Sequence, residues 1–148
     1  MTPAASRRAA LRATLALAGM VALGLPVSGV RAQDPASAEA VQAARDWLAL
    51  ADANDADAAH REAGTKYRAT LDVERWREAL KLVREPLGAA TQRTLAGSQL
   101  ASKLQGVPDG DYAQVMFRTS WVNKPVGREY LTLEREAGRW RVIGYVVQ

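Results

Sequence analysis

The sequence predicts an α+β domain in which N-terminal helices pack on one face of a curved antiparallel sheet of about four strands. Three observations carry that expectation. Up to about residue 87, apolar residues recur at three- and four-residue steps, the spacing of one helix face. Beyond about residue 91 the period changes to two, as a strand with one buried face requires. The alternating runs are separated by turn chemistry in "GVPDGDY", "VNKPVG" and Ala137-Gly138. Helices first and antiparallel strands last gather the helices on one side of the sheet.

Ahead of the first helix, residues 1–32 read as a secretory signal peptide. Arg7, Arg8 and Arg12 precede the apolar run "LALAGMVALGLPVSGV", and Val30-Arg31-Ala32 fits a small-residue cleavage site that would leave Gln33 first. An uncleaved anchor fits less well, because Pro26 and the many Gly and Ala residues make a weak span of barely sufficient length. No stable membrane anchor is therefore expected after cleavage between Ala32 and Gln33, and the expected location is periplasmic or secreted. "SRRAAL" resembles a twin-arginine signal, but Ala10 stands where a strongly apolar residue is usual, so general secretion fits at least as well. Residues 33–148 have the length of one domain with a single core.

The formal charge of +4 belongs to the leader. Four of the 20 Lys and Arg residues lie in residues 1–32, which contain no acid, leaving 16 basic against 16 acidic residues in the remainder. A neutral domain with interspersed charges has no electrostatic reason to bind nucleic acid. The chain has no cysteine, hence no disulfide and no acylation site of the lipoprotein type.

Asp34-Pro35 supplies a cap and a first-turn proline for the first helix, in which Val41, Ala44, Trp47 or Leu48, and Ala51 share a face. "ADANDAD" ends it and recaps a second helical stretch from about Asp57 to Arg68, which Gly64 interrupts. A third helix follows Asp72, with Val73, Trp76, Leu80, Val83 and Leu87 expected inside. Pro86 and Gly88 stop it. A weakly marked strand is expected from about Thr91 to Gln99. "YAQVMFRTSW" alternates, with Ala113, Val115, Phe117, Thr119 and Trp121 on one face. The last 21 residues read as a hairpin. A two-residue turn at Ala137-Gly138 pairs Glu136 with Arg139, Glu134 with Arg141 and Tyr130 with Tyr145. Leu131, Leu133, Trp140, Val142 and Val146 then share the other face. A three-residue loop with a bulge is the alternative at Gly138, and it shifts the pairing.

Read together, Trp47, Trp76 followed by "REPLG" and Arg93, then "GVPDGDY", "VMFRTSW" and "GRWRVIGYVVQ" resemble the bacterial exported domain-of-unknown-function family four-thousand-and-nineteen. The resemblance spans roughly residues 41–148, and its specificity lies in several spaced motifs occurring in order. His60 departs from it, standing where the family often has tryptophan. The resemblance implies a cystatin-like or nuclear transport factor two-like cone and an exported setting, and no activity.

Chemistry-bearing constellations are sparse. Without cysteine and with His60 alone, a transition-metal site is not expected. "DANDAD" fails the calcium-loop template, because Asp57 and Ala63 occupy the positions of the required glycine and glutamate. There is no Gly-x-Ser-x-Gly elbow and no phosphate-binding glycine loop, so no catalytic residue and no cofactor are assigned. His60 reads as a packing residue. Trp47, Trp76, Phe117, Trp121 and Trp140 line either an apolar pocket or, as the favoured reading, a filled core. Tyr130, Ile143 and Tyr145 are the candidate interface on the outer sheet face. Arg84 and Arg93, framing "KLVREPLGAATQR", are candidates for holding an anion, although helix-end arginines more often meet backbone carbonyls.

The expected function is a non-enzymatic exported module that binds an unknown protein partner or a second copy of itself. The alternative is a carrier or sensor of a small apolar ligand held between helices and sheet.

Overall fold

The computed structural model describes residues 34–148. The expected signal peptide and its cleavage site lie outside the described residues. Four helices, α1 (Pro35–Asp52), α2 (Ala56–Glu62), α3 (Thr65–Thr70) and α4 (Val73–Arg84), precede four strands, β1 (Ala90–Ala101), β2 (Tyr112–Trp121), β3 (Gly127–Glu136) and β4 (Arg139–Val147). The strands form an open, curved antiparallel sheet in the order β1-β2-β3-β4, so the chain is α+β.

Local chemistry sets the helix boundaries. Asp34 Oδ1 accepts from the Ala36 amide at 2.9 Å with Pro35 in the first turn, and Asp55 and Asp72 accept from Ala58 and Arg75 at 3.0 and 2.9 Å. Each cap satisfies an amide that the helix itself leaves without a partner. Asn54, at φ 57°, turns the chain between α1 and α2. The single second helix expected from sequence is two. They part at Ala63-Gly64, where the Gly64 amide donates to the Val142 carbonyl at 2.7 Å and ties the link to β4.

The core lies between α1 and the inner sheet face. Ala40, Val41, Ala44, Trp47 and Leu48 of α1 meet Val115, Phe117, Leu131, Leu133 and Val142, with Trp76 and Leu80 of α4 closing it. The inward set of β2 matches the alternation in the sequence, since Ala113, Val115, Phe117, Thr119 and Trp121 are all buried. Two expectations are corrected. On α4 the buried positions are Trp76, Leu80 and Arg84, while Val83 is 41% exposed, so the inward stripe follows four-residue steps into a charged residue.

The hairpin register is the second. Glu136 pairs with Arg139, Glu134 with Arg141 and Leu133 with Val142 in the expected register, but Thr132 pairs with Gly144, leaving Ile143 as an extra residue. A bulge inverts the alternation beyond it. Tyr145 consequently pairs with Leu131 on the inner side, and Val146, 53% exposed, pairs with Tyr130.

Candidate functional site

Two regions carry polar or exposed chemistry that core packing does not explain. The first lies where α1 and α4 end over the sheet. Asp52 closes α1, Arg84 closes α4, Arg93 stands near the start of β1, and Thr119, Glu129 and Tyr145 come from β2, β3 and β4. Glu129 is fully buried and receives only donors: Thr119 Oγ1 at 2.6 Å, Arg93 Nε at 2.6 Å, Tyr145 Oη at 2.8 Å and Arg84 Nη1 at 3.2 Å. Arg93 also forks onto both oxygens of Asp52, at 2.7 and 3.0 Å, and Arg84 Nη2 donates to Asp52 Oδ1. Two guanidiniums and two carboxylates thus balance in charge, which is the condition for keeping such groups away from water.

The electrostatics follow from that arrangement. Burial alone would raise the Asp52 pKa, but the hydrogen bonds and charges of Arg93 and Arg84 outweigh it and hold the carboxyl below its ordinary 3.8. Burial, reinforced by the neighbouring Glu129 charge, pushes the Tyr145 phenol well above its ordinary value, so it stays a donor. Arg93 is held protonated, the bonds to Asp52 and Glu129 overcoming the burial that works against its charge.

Arg84 and Arg93 are therefore brought together, as their framing of one segment suggested, but the anions they hold are the chain's own. Sequence reasoning missed Glu129 and Tyr145 as their partners, and read Asp52 as part of a turn that fails the calcium-loop template. Strand parity carried a signal for Glu129, because it lies two residues before Leu131 and four before Leu133. Gly144, a glycine inside a strand, was the signal for the bulge that turns Tyr145 inward.

A cavity of about 500 Å³ opens beside this cluster. Asp52 and Asn54 form one wall, and Arg77, Lys81 and Arg84, on successive turns of α4, form the other. Ala56, Leu80, Glu85, Gly88 and Ala89 complete it, Glu85 being paired with Lys81 across 3.9 Å.

The second region is the sheet face away from the helices, where register lays residues out in rows. Met116, Tyr130 and Val146 form an apolar row. Gln99, Gln114 and Thr132 form a polar row on one side of it, and Thr94, Arg118 and Arg128 a basic row on the other. Arg118 and Arg128 are direct cross-strand partners, and among the described residues neither has an acidic partner. Lys124 and Val126 join them around a depression of about 500 Å³.

The remaining candidates have structural places. Trp47 and Trp76 lie 5.7 Å apart in the core, and their indole N–H groups donate to the carbonyls of Ala59 and Ala56, each at 2.9 Å. Phe117 is fully buried with Arg45 over its ring. Trp121 is buried at the far end of β2 beside Gly127, and Trp140 is half-buried beneath Arg135. His60 Nε2–H donates to the Leu71 carbonyl at 2.7 Å and pins α2 to the chain before α4. Of the candidate interface, Tyr130 alone sits in the outer rows. Ile143 packs beside Gly64, and Tyr145 is inside because of the bulge. Among the described residues no three His, Asp or Glu side chains gather as a metal would need.

The family model described as "Protein of unknown function (DUF4019)" matches residues 43–145. No curated protein and no solved structure matches.

Proposed function

We propose that this chain, which belongs to the DUF4019 family of unknown function, is a non-enzymatic binding module of the bacterial envelope whose open sheet face docks an acidic protein partner. The observation that carries this reading is the basic row beside the apolar row. Arg118 lies directly opposite Arg128, and like charges in that position work against the sheet. Among the described residues neither arginine has a carboxylate partner, so the pair is understood as one half of an interface completed by a partner's carboxylates. Met116, Tyr130 and Val146 supply the neighbouring apolar contact, and an aromatic at the centre of a patch is where binding energy concentrates. The export expected from residues 1–32 places the encounter in the envelope.

A photo-crosslinker in place of Tyr130, in the host cell, tests the reading, with the same group at Leu82 on the exposed side of α4 as control. The expected result is one adduct specific to position 130, lost on Arg118→Glu, and mapping to an acidic segment of another protein. An adduct with a second copy of this chain would overturn the acidic-partner reading in favour of self-association. Labelling indistinguishable from that at position 82 would remove the face as a docking surface.

A further inference from the structure

The cavity between the ends of α1 and α4 is unrelated to the open sheet face, and its chemistry points elsewhere. Arg77, Lys81 and Arg84 occur at steps of four and three residues, so all three line one wall. Opposite them, Asp52 is 29% exposed, while the Arg84 side chain it contacts is 6% exposed. The cavity is thus bordered by an arginine–carboxylate bond whose carboxylate is the more exposed member.

We infer that this cavity binds a small carboxylate or phosphate anion, which takes the place of Asp52 on Arg84. The exchange leaves no charge stranded. Asp52 Oδ1 is shared between Arg84 and Arg93, so the exchange turns that oxygen aside while Asp52 Oδ2 keeps its bond to Arg93 Nη1 at 2.7 Å, and Arg84 keeps Glu129 and Tyr145. Arg77 and Lys81 hold the anion's remaining oxygens. Their present partners offer little resistance, because Arg77–Asp57 is solvent-exposed and Lys81–Glu85 spans 3.9 Å at the surface. Asp52 acts in this scheme as a built-in competitor, and the carboxylate and phosphate classes share the same planar, forked recognition by arginine.

Titration of the protein purified from its host envelope with succinate and, separately, with inorganic phosphate tests the inference, followed through the arginine side-chain Nε–H resonances. Saturable shifts at Arg84 and Arg77 are expected with at least one probe, and the stronger of the two identifies the class. Asp52→Asn removes the competitor and should tighten binding roughly tenfold, about the worth of one charge-assisted hydrogen bond. Arg77→Gln with Lys81→Gln, both at exposed positions, should weaken it by a similar factor while the thermal midpoint stays put. Absence of saturable shifts with both probes, weaker binding in Asp52→Asn, or indifference to the Arg77 and Lys81 substitutions would each overturn it. Because none of these residues lies on the outer sheet face, the outcome is independent of the crosslinking result.

Discussion

Glu129 shows most sharply how a single residue depends on its surroundings. All its hydrogen-bonding neighbours are donors, so an isosteric amide would turn an N–H toward a ring of N–H and O–H groups and remove the charge that balances two arginines. Glu129→Gln should lower the unfolding free energy by about 3–5 kcal/mol, the range for breaking a buried pair on one side. A shift in the urea midpoint with an unchanged slope would register it. Tyr145→Phe keeps the ring against Trp47, at 5.2 Å, and removes only the hydroxyl, so the expected loss is about 1–2 kcal/mol in the same experiment. Asp52 gives the cluster a pH dependence. Its folded pKa lies below the ordinary 3.8, so the unfolded chain binds the proton more readily. The stability it contributes is complete above that ordinary value and is lost as the pH falls through the folded one. Urea midpoints compared between about pH 6 and about pH 3 should drop less in Asp52→Asn than in the parent.

Among the elements, the link between α2 and α3 and the bulge in β4 decide most. Gly64 has an ordinary φ of −65°, so its requirement is space and not conformation. A Cβ there would stand 2.5 Å from Ile143 Cγ2 and 2.7 Å from Glu136 Oε1, while its amide is committed to Val142. Gly64→Ala should therefore destabilise the protein by about 1–3 kcal/mol through overpacking, read as a lowered thermal midpoint. Glu136 also accepts from the Thr65 amide and hydroxyl, and Lys66 reaches Glu134 at 2.5 Å, so α3 is fastened to the end of β3. These contacts explain why Glu134 and Arg141, though cross-strand partners, send their charges to the helices. Arg141 bonds Glu62 at 2.6 Å. At the other edge, β1 has two register shifts, which interrupt a continuous row of free backbone groups.

At the scale of the whole molecule, the two sheet faces answer to different demands. The inner face is covered by α1, and Trp76 and Phe117 are buried in the core there. The outer face carries Arg118 opposite Arg128, neither with an acidic partner among the described residues. Arg118→Glu places an acid opposite Arg128, so the isolated protein should gain a few tenths of a kcal/mol as repulsion becomes attraction, by roughly the worth of a cross-strand pair. The same change should abolish partner capture. A raised thermal midpoint together with lost binding separates a functional surface from a structural one. A fall in stability would show that the arginines serve the fold.

Much of this architecture was legible along the chain. Caps at Asp34 and Asp72, the stop at Pro86 and Gly88, and the alternation of "YAQVMFRTSW" are local, because neighbouring residues create the hydrogen bonds and steric limits concerned. The order of helices before strands, and the family motifs, were likewise written in one dimension. The pairing of Arg84 and Arg93 with Asp52 and Glu129 was not, since residues separated by 32 to 45 positions meet only after the sheet has formed. Nor was the inward turn of Tyr145, because one extra residue in β4 reverses side-chain direction and only pairing with β3 reveals it. Local bonding rules determine elements and are carried by the sequence itself. Charge neutralisation in a buried cluster depends on distances between elements, and tertiary packing alone decides those.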